Sequence, residues 1–370
     1  LIDRGHSVDI LVFSQESQDG HLTYLIPSEA NLFLFDNPPP LVFQEKIKIV
    51  KYFGLRITLF LKGELLDYAE FIRIYIDKKN PDCILPSLEK AKSAACMASI
   101  FTKFKPPLII PIIRSNLANR KWKWRSLYSI LFPSVDHVVT VSDGVADSVV
   151  SEIGLSPEKI TRIYNPVFSE EIEDLAKTVP DHPWLNEDEV PVILAAGRLA
   201  RVKDFPTLLH AFERVAKNRK VRLIIIGEGS WRKRLEKMVK KLNIESAVSL
   251  PGWVPNPYAY MSRASLFVLS SRYEGLANVL IEALACGCPC VSTDCPSGPA
   301  EILDDGRFGL LVPVGDVLAL STAMERLLDY PSNKDILVAR AKEFSVEAAA
   351  EQYERAIADQ LYCRHEKHAI

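Results

Sequence analysis

Two glutamates, Glu274 and Glu282, stand eight residues apart in SRYEGLANVLIEALACG, 271–287, with a glycine after the first and a mostly apolar run between. On one continuous helix they would lie about 80° apart around the axis and roughly 12 Å apart along it, so they would not share a face. Local signals place them differently. ASLFVLSS reads as a buried strand, RYEG as a turn and NVLIEALACG as a short helix ending at Gly287. Glu274 then sits at the mouth of the helix and Glu282 more than one turn inside it. Between them Gly275, Leu276, Ala277 and Asn278 lead into the first turn, where amide N–H groups and the positive end of the helix dipole invite an anion. A diphosphate there would have one carboxylate to hold hydroxyls of a sugar and another to hold those of a ribose. A capping acid plus a surface glutamate is the plainer alternative. Against it, Glu282 is flanked by Ile281, Ala283 and Leu284, and a buried acid needs partners.

Cations come from ILAAGRLARVKDFPTLLHAF, 193–212. A strand ends at Gly197, and Arg198 and Lys203 follow before a helix opened by Asp204 and Pro206. The carboxyl end of a parallel strand is where α/β proteins bind ligands. Arg offers a planar fork and Lys a point charge, which together suit a diphosphate, although a pair of solvated loop cations would look the same. Gly227-x-Gly229 after the strand at 222–226 lacks the third glycine and the acidic ribose ligand of a dinucleotide fingerprint. It predicts a tight turn with backbone close to a ligand. Cysteines 286, 288, 290 and 295 invite zinc, but alternate residues of a strand point to opposite faces, so small apolar residues in a buried strand are the better reading.

The elements that must carry these groups alternate along the chain. Apolar runs at 8–13, 83–85, 108–113 and 137–141 read as strands, and after a break so do 192–195, 222–226, 248–250, 266–269 and 289–292. Amphipathic segments such as 206–218 and 231–243 separate them, the pattern of parallel sheets covered on both faces. The break, 162–192, is acidic and proline-rich and reads as a linker followed by a surface hairpin or turn. Two similar α/β halves with a cleft between them are expected, 1–165 and 166–344. Arg4-Gly5-His6 reads as the end of a helix, so a strand and a helix are expected before residue 1.

Composition bounds the partners. With 370 residues and a net charge of −2, the chain is long enough for two domains and gives no argument for nucleic acid. Seven cysteines, an odd number, suit a reducing cytoplasm. No apolar run approaches the roughly 18 residues of a membrane span, and LFLFDNPPPLVF is broken by prolines. Charge is uneven, however. From Glu89 to Ile130 there are nine Lys or Arg and a single acid. Trp122 and Trp124 interleave with Arg120, Lys121, Lys123 and Arg125, which suits an anionic membrane surface or a lipid-diphosphate, or else a solvated helix face with partly packed tryptophans.

Taken together, GRLARVKDFPTLL, IIGEGSWRKRLE, SRYEGLANVLIEALACGCPCVSTDCPSGPAEIL and GLLVPVGDVLAL resemble the GT4 family of retaining, nucleotide-sugar-dependent glycosyltransferases over residues 190–330. RGHSVDILV, VVTVS and YNPV agree more weakly. The resemblance implies the GT-B fold of two Rossmann-like domains, with the donor in the second, the acceptor mainly in the first and the last helix, 345–362, returning to complete the first. It implies hexosyl transfer from a nucleotide-sugar, most simply UDP-linked, to a glycan or lipid-linked glycan, as in surface polysaccharide assembly at the inner face of the cytoplasmic membrane. Arg198 and Lys203 would neutralise the diphosphate, Glu274 would face the donor sugar and Glu282 the ribose. No Asp-x-Asp lies in a suitable loop, so no cofactor and no metal is expected. Three departures stand out. The family's N-terminal glycine-rich loop would precede residue 1, Arg114 stands where many members place a His, and Ala277 replaces the usual Pro. Rival readings are a sugar-nucleotide epimerase of the same fold and an inactive nucleotide-sugar-binding fragment or scaffold.

Overall fold

The computed structural model describes residues 1, 4–12, 30–34, 64–100, 102, 106–186 and 190–366. Phe13 of the first expected strand and most of LFLFDNPPPLVF lie outside them. The chain divides into two units: Leu1–Thr140, Ala146–Arg162 and Ala350–Ile370 form the first, Val141–Val145 and Ile163–Ala349 the second.

In the first unit β1 (Asp9–Val12) pairs in parallel with β2 (Asn31–Leu34). Helix α1 (Glu64–Lys79) is followed by β3 (Cys83–Ile84) and α2 (Glu89–Ile100), whose Ala94 to Ala98 are buried. The run expected as one strand at 108–113 is two, β4 (Leu108–Ile109) and β5 (Ile112–Ile113). Pro111 parts them, since it has no N–H to give a ladder. β4 pairs with β3, while β5 joins β6 (Val138–Thr140) and β7 (Ile160–Arg162), all in parallel. Helix α3 (Trp122–Leu131) lies between β5 and β6, and α4 (Asp143–Ile153) follows β6.

Among its described residues the break holds a helix and a turn, the second of the two expected forms. Ser169 stands at the N-cap of α5 (Glu170–Ala176), whose first turn holds Glu170, Glu171 and Glu173, and a 3₁₀ turn follows at Pro183–Leu185. Acids in a first turn oppose the helix dipole favourably, and buried Ile172 anchors the helix. Six parallel strands then build the second unit: β8 (Val192–Ala196), β9 (Arg222–Ile226), β10 (Val248–Gly252), β11 (Leu266–Leu269), β12 (Cys290–Thr293) and β13 (Leu310–Val312). Their order across the sheet is β10-β9-β8-β11-β12-β13. The strand order reverses between β8 and β11, the switch point of a Rossmann sheet, outside whose carboxyl ends a crevice must open.

Between these strands run α6 (Phe205–Asn218), α7 (Arg232–Lys241), α8 (Pro257–Met261), α9 (Asn278–Ala285), α10 (Pro299–Leu303) and α11 (Val317–Asp329). Leu208, Leu209, Phe212 and Val215 line one face of α6 and meet Ile193, Leu223, Leu266 and Met324 in a dry core. Helices α12 (Lys334–Lys342) and α13 (Val346–Glu366) end the chain, and α13 from Ala350 onward belongs to the first unit.

Candidate active site

The switch point of the second unit opens into a cavity of 630 Å³. The loop after β8 contributes Gly197, Arg198 and Lys203, the loop after β9 Gly227 and Glu228, and the segment after β11 Glu274, Leu276, Asn278, Val279 and Glu282. Gly275 and Ala277 complete that last segment, Ala277 buried as the N-cap of α9. The donor-side residues named from the sequence therefore meet in one place within one unit.

Lys203 and Glu274 are bonded to each other. Lys203 Nζ lies 2.7 Å from Glu274 Oε1, and Ser271 Oγ donates to the same oxygen at 2.6 Å. Both side chains are largely shielded, 17% and 14% exposed, so the pair is stronger than a surface ion pair. The loops behind them are tied together. Ser270 Oγ donates to the Lys203 carbonyl at 2.7 Å, and the Arg272 amide donates to the Val202 carbonyl at 2.8 Å. Asp204 does not cap α6 with its side chain. It is buried with φ +45°, and its carboxylate accepts from Thr207 Oγ1 at 2.9 Å and pairs with Arg272 Nε at 3.1 Å.

Arg198 is exposed at the cavity edge and makes no hydrogen bond or ion pair among the described residues. A cation without a counter-charge beside a cavity is an anion site in waiting. Helix α9 brings its dipole but fewer open amides than a bare helix end: the Asn278 amide donates to Leu276 and the Leu280 amide to Ala277. The Asn278 side chain accepts from Asn165 Nδ2 at 2.9 Å. Glu282 is turned inward, and burial raises its carboxyl above the ordinary value, with Lys203 working the other way. Tyr258 stands nearby, its hydroxyl pushed up to about 12 by burial and by Glu282.

Gly227 and Gly229 serve the backbone. A Cβ on Gly227 would meet the Gly197 carbonyl oxygen at 2.2 Å, and one on Gly229 the Leu199 carbonyl oxygen at 2.4 Å. The two loops therefore interlock at van der Waals distance. Cys286, Cys288, Cys290 and Cys295 are buried thiols, and Cys288 Sγ donates to the Ala264 carbonyl at 3.5 Å.

The far wall of the cavity went unread in the sequence: Trp253, Val254, Pro257 and Met261, from β10 into α8. Trp253 is 72% exposed beside it. The signal was Asn256 before Pro257, a helix start whose Asn256 Oδ1 caps the Tyr258 and Ala259 amides. A start at that point sets the preceding tryptophan on a strand-end loop.

Residues named for the acceptor side lie in the first unit. Arg114, Lys121 and Lys123 are exposed, and Trp122 is 59% exposed at the start of α3. Trp124 is half-buried, its ring 6.2 Å from that of Tyr128. Two of the cations are not open contacts. Arg125 pairs with Glu152, and Arg120 pairs with Glu89 at 3.2 Å while donating through Nε to Ser115 Oγ at 2.9 Å.

A Rossmann sheet with cations, two carboxylates and a helix start at its switch point is a frame in which α/β proteins bind ligands, and comparison narrows the class. Residues 1–171 match the model of Glycosyltransferase Family 4 and residues 181–344 that of Glycosyl transferases group 1. A Campylobacter jejuni GalNAc-alpha-(1->4)-GalNAc-alpha-(1->3)-diNAcBac-PP-undecaprenol alpha-1,4-N-acetyl-D-galactosaminyltransferase is 30% identical over 78% of this chain and 77% of its own. The chain belongs to the GT4, or group 1, glycosyltransferases. Other relatives include a second C. jejuni enzyme, an N-acetylgalactosamine-N,N'-diacetylbacillosaminyl-diphospho-undecaprenol 4-alpha-N-acetylgalactosaminyltransferase, 34% identical over 55% of this chain. A lipopolysaccharide core biosynthesis glycosyltransferase of Rhizobium meliloti is 31% identical over 60%. The matches span 53% and 64% of those two proteins' length. In structure, a glycosyltransferase from Rickettsia africae superposes with a TM-score of 0.76 at 15% identity, covering 97% of this chain and 92% of that one. Anabaena Alr3699/HepE in complex with UDP gives 0.75 at 18%, covering 95% and 92%. The fold is GT-B.

Proposed function

We propose that this chain is a retaining, metal-independent glycosyltransferase that moves a sugar from a UDP-sugar to a glycan or lipid-linked glycan in surface polysaccharide assembly. The observation that carries the reading is the cavity of the second unit, where uncompensated Arg198 and the Lys203–Glu274 pair face inward-turned Glu282 across the start of α9. Arg198 takes the diphosphate by charge-assisted hydrogen bonds, and Lys203 joins it when the incoming phosphate competes with Glu274. Glu274, thereby freed, accepts from hydroxyls of the transferred sugar. Glu282 accepts from the ribose. With two cations and a helix dipole on the leaving group, the charge a metal would carry is met by the protein.

In the reaction the bond from the anomeric carbon to the β-phosphate oxygen breaks, and its electron pair leaves with UDP. The acceptor hydroxyl oxygen forms the new bond from the same face, and its proton passes to the departing phosphate oxygen, so no separate base is needed. The relatives whose names carry a diphospho-undecaprenol acceptor favour a lipid-linked glycan. Among the described residues no helix is long and apolar enough to cross a membrane. Exposed Trp122 and Ile130 on α3, with Lys121 and Lys123 at its start, suit peripheral contact with an anionic surface on the cytoplasmic side.

Calorimetric titration with UDP, followed by Glu274→Gln, tests the reading. UDP should bind in the micromolar range, and the variant should bind it as well or about threefold better, because Lys203 loses a competing partner. Sugar transfer in that variant should fall at least about 100-fold. Normal turnover by Glu274→Gln, or no UDP binding by folded protein, would sink the proposal.

A further inference from the structure

The first unit contains a charge arrangement that the donor cavity does not explain. Lys92, on α2, is 1% exposed, with its ammonium 3.1 Å from Glu89 Oε1 and 5.6 Å from the centre of the Tyr128 ring. The Tyr128 hydroxyl donates to the other oxygen of Glu89. Arg120 reaches Glu89 only at 3.2 Å and is held in place by two bonds from Nε and Nη2 to Ser115 Oγ, at 2.9 and 2.7 Å. Arg114, next to Ser115 in the chain, is exposed and makes no hydrogen bond or ion pair among the described residues. Burial would raise the Glu89 carboxyl, but Lys92, the Tyr128 hydroxyl and Arg120 outweigh it and hold it low. Lys92 is itself depressed, chiefly by burial and then by Arg120 and Arg114, so these cations feel one another.

One carboxylate thus serves two cations, buried Lys92 and Arg120, and leaves Arg114 without a counter-charge among the described residues. We propose that Arg114 and Arg120 form a phosphoryl-binding subsite of the first unit, and that Lys92, by engaging Glu89, is the positioning residue that leaves their charge available. This rests on the reading of the chain as a transferase, and the ligand is a phosphate or diphosphate group on the acceptor. A buried lysine placed only to tie α2 to α3 would need no uncompensated arginine beside it. A guanidinium group binds phosphate oxygens in pairs, and Ser115, the chain neighbour of Arg114, holds that of Arg120 in place.

The test uses the full chain saturated with UDP, so that the donor cavity is filled, and titrates inorganic pyrophosphate. Saturable binding is expected. Arg114→Ala should weaken it about tenfold or more, the scale of one lost charge-assisted contact, with UDP affinity unchanged. Lys92→Met should also weaken it, because Glu89 then turns its full charge on Arg120. Glu89→Gln should strengthen it several-fold, a gain that a merely structural cluster would not give. If Lys92→Met fails to fold, Arg114→Ala and Glu89→Gln carry the test. No pyrophosphate binding to the UDP-loaded chain, or binding indifferent to Arg114→Ala and Glu89→Gln, overturns the subsite. UDP binding is read in its own titration, so its loss would count against the donor cavity and not against this subsite. Farnesyl diphosphate in place of pyrophosphate separates the sources: tighter binding assigns the subsite to a lipid-linked diphosphate, and equal binding to a soluble one.

Discussion

Glu282 costs the ligand-free protein stability. Its carboxyl is raised above 4.5 by burial, so the folded chain holds that proton more tightly than the unfolded chain does. The sign follows from linkage: stability is favoured on the acid side, falls as pH climbs from about 4.5 through the raised value, and is lowest above it. Glu282→Gln should therefore melt higher than the parent near neutral pH and converge with it near pH 4, a tenfold difference in proton affinity between the folded and unfolded chain being worth about 1.4 kcal/mol. Parallel melting curves across that range would show that the acid is solvated. The same variant should bind UDP more weakly, having one acceptor fewer for the ribose. From the sequence, the burial of Glu282 is legible in its apolar neighbours, and Arg198 and Lys203 in their place after a strand. The Lys203–Glu274 bond is not, because it joins residues 71 apart and its existence depends on the fold. Lys92 is hidden for the opposite reason: in a basic stretch, one buried lysine looks like its solvated neighbours.

At the level of elements, the loops after β8 and β9 act as one part. The Gly197 amide donates to the Ile226 carbonyl at 3.0 Å and the Leu199 amide to the Glu228 carbonyl at 2.8 Å, while Gly227 holds φ +126°. Gly227→Ala must push the Gly197 carbonyl aside and strain its own backbone. A loss of about 1–3 kcal/mol in denaturant unfolding is expected, together with weaker UDP binding because Arg198 rides on the displaced loop. Unchanged stability would mean that the loops part easily. Strands β8 to β12 of the second unit are readable because each is an apolar run bounded by glycine or a polar turn, whereas β13, only three residues long, is not named from the sequence. The departures have local causes. Pro111 is masked inside a run of isoleucines, and prolines flanking α5 hide Ser169 and the acids that start it. Trp253 carries no signal of its own, and its place is legible only through the helix start at Asn256 and Pro257.

For the whole molecule, the first unit is assembled from three separate stretches of chain. Its last stretch is fastened by Arg364, which meets Asp136 through Nε at 2.8 Å and Nη2 at 2.5 Å and donates through Nη1 to the Pro106 carbonyl at 2.7 Å. Arg4 and His6 add contacts to Glu354 at 2.6 and 2.9 Å. Arg364→Ala should cost the first unit about 1.5–3 kcal/mol, the worth of hydrogen bonds to a charged group. Hydrogen exchange should quicken along α13 and around Asp136, with β8–β13 unaffected. Uniform protection would make the contact ornamental. The two-unit division is legible in the interrupted rhythm of strands at 162–192. The pairing of Arg364 with Asp136 is not, since neither residue carries a local signal for the other.

That fastening sets an order of events on the ribosome. The second unit has all its chain once residue 349 has been made, and parallel strands with intervening helices allow it to close as each emerges. The first unit, although translated earlier, cannot finish until the final helix leaves the exit tunnel. During that interval its apolar faces wait uncovered, a demand on chaperones created by topology alone. Placing the codons for α13 ahead of those for the rest of the first unit, through a suitable linker, would remove the wait.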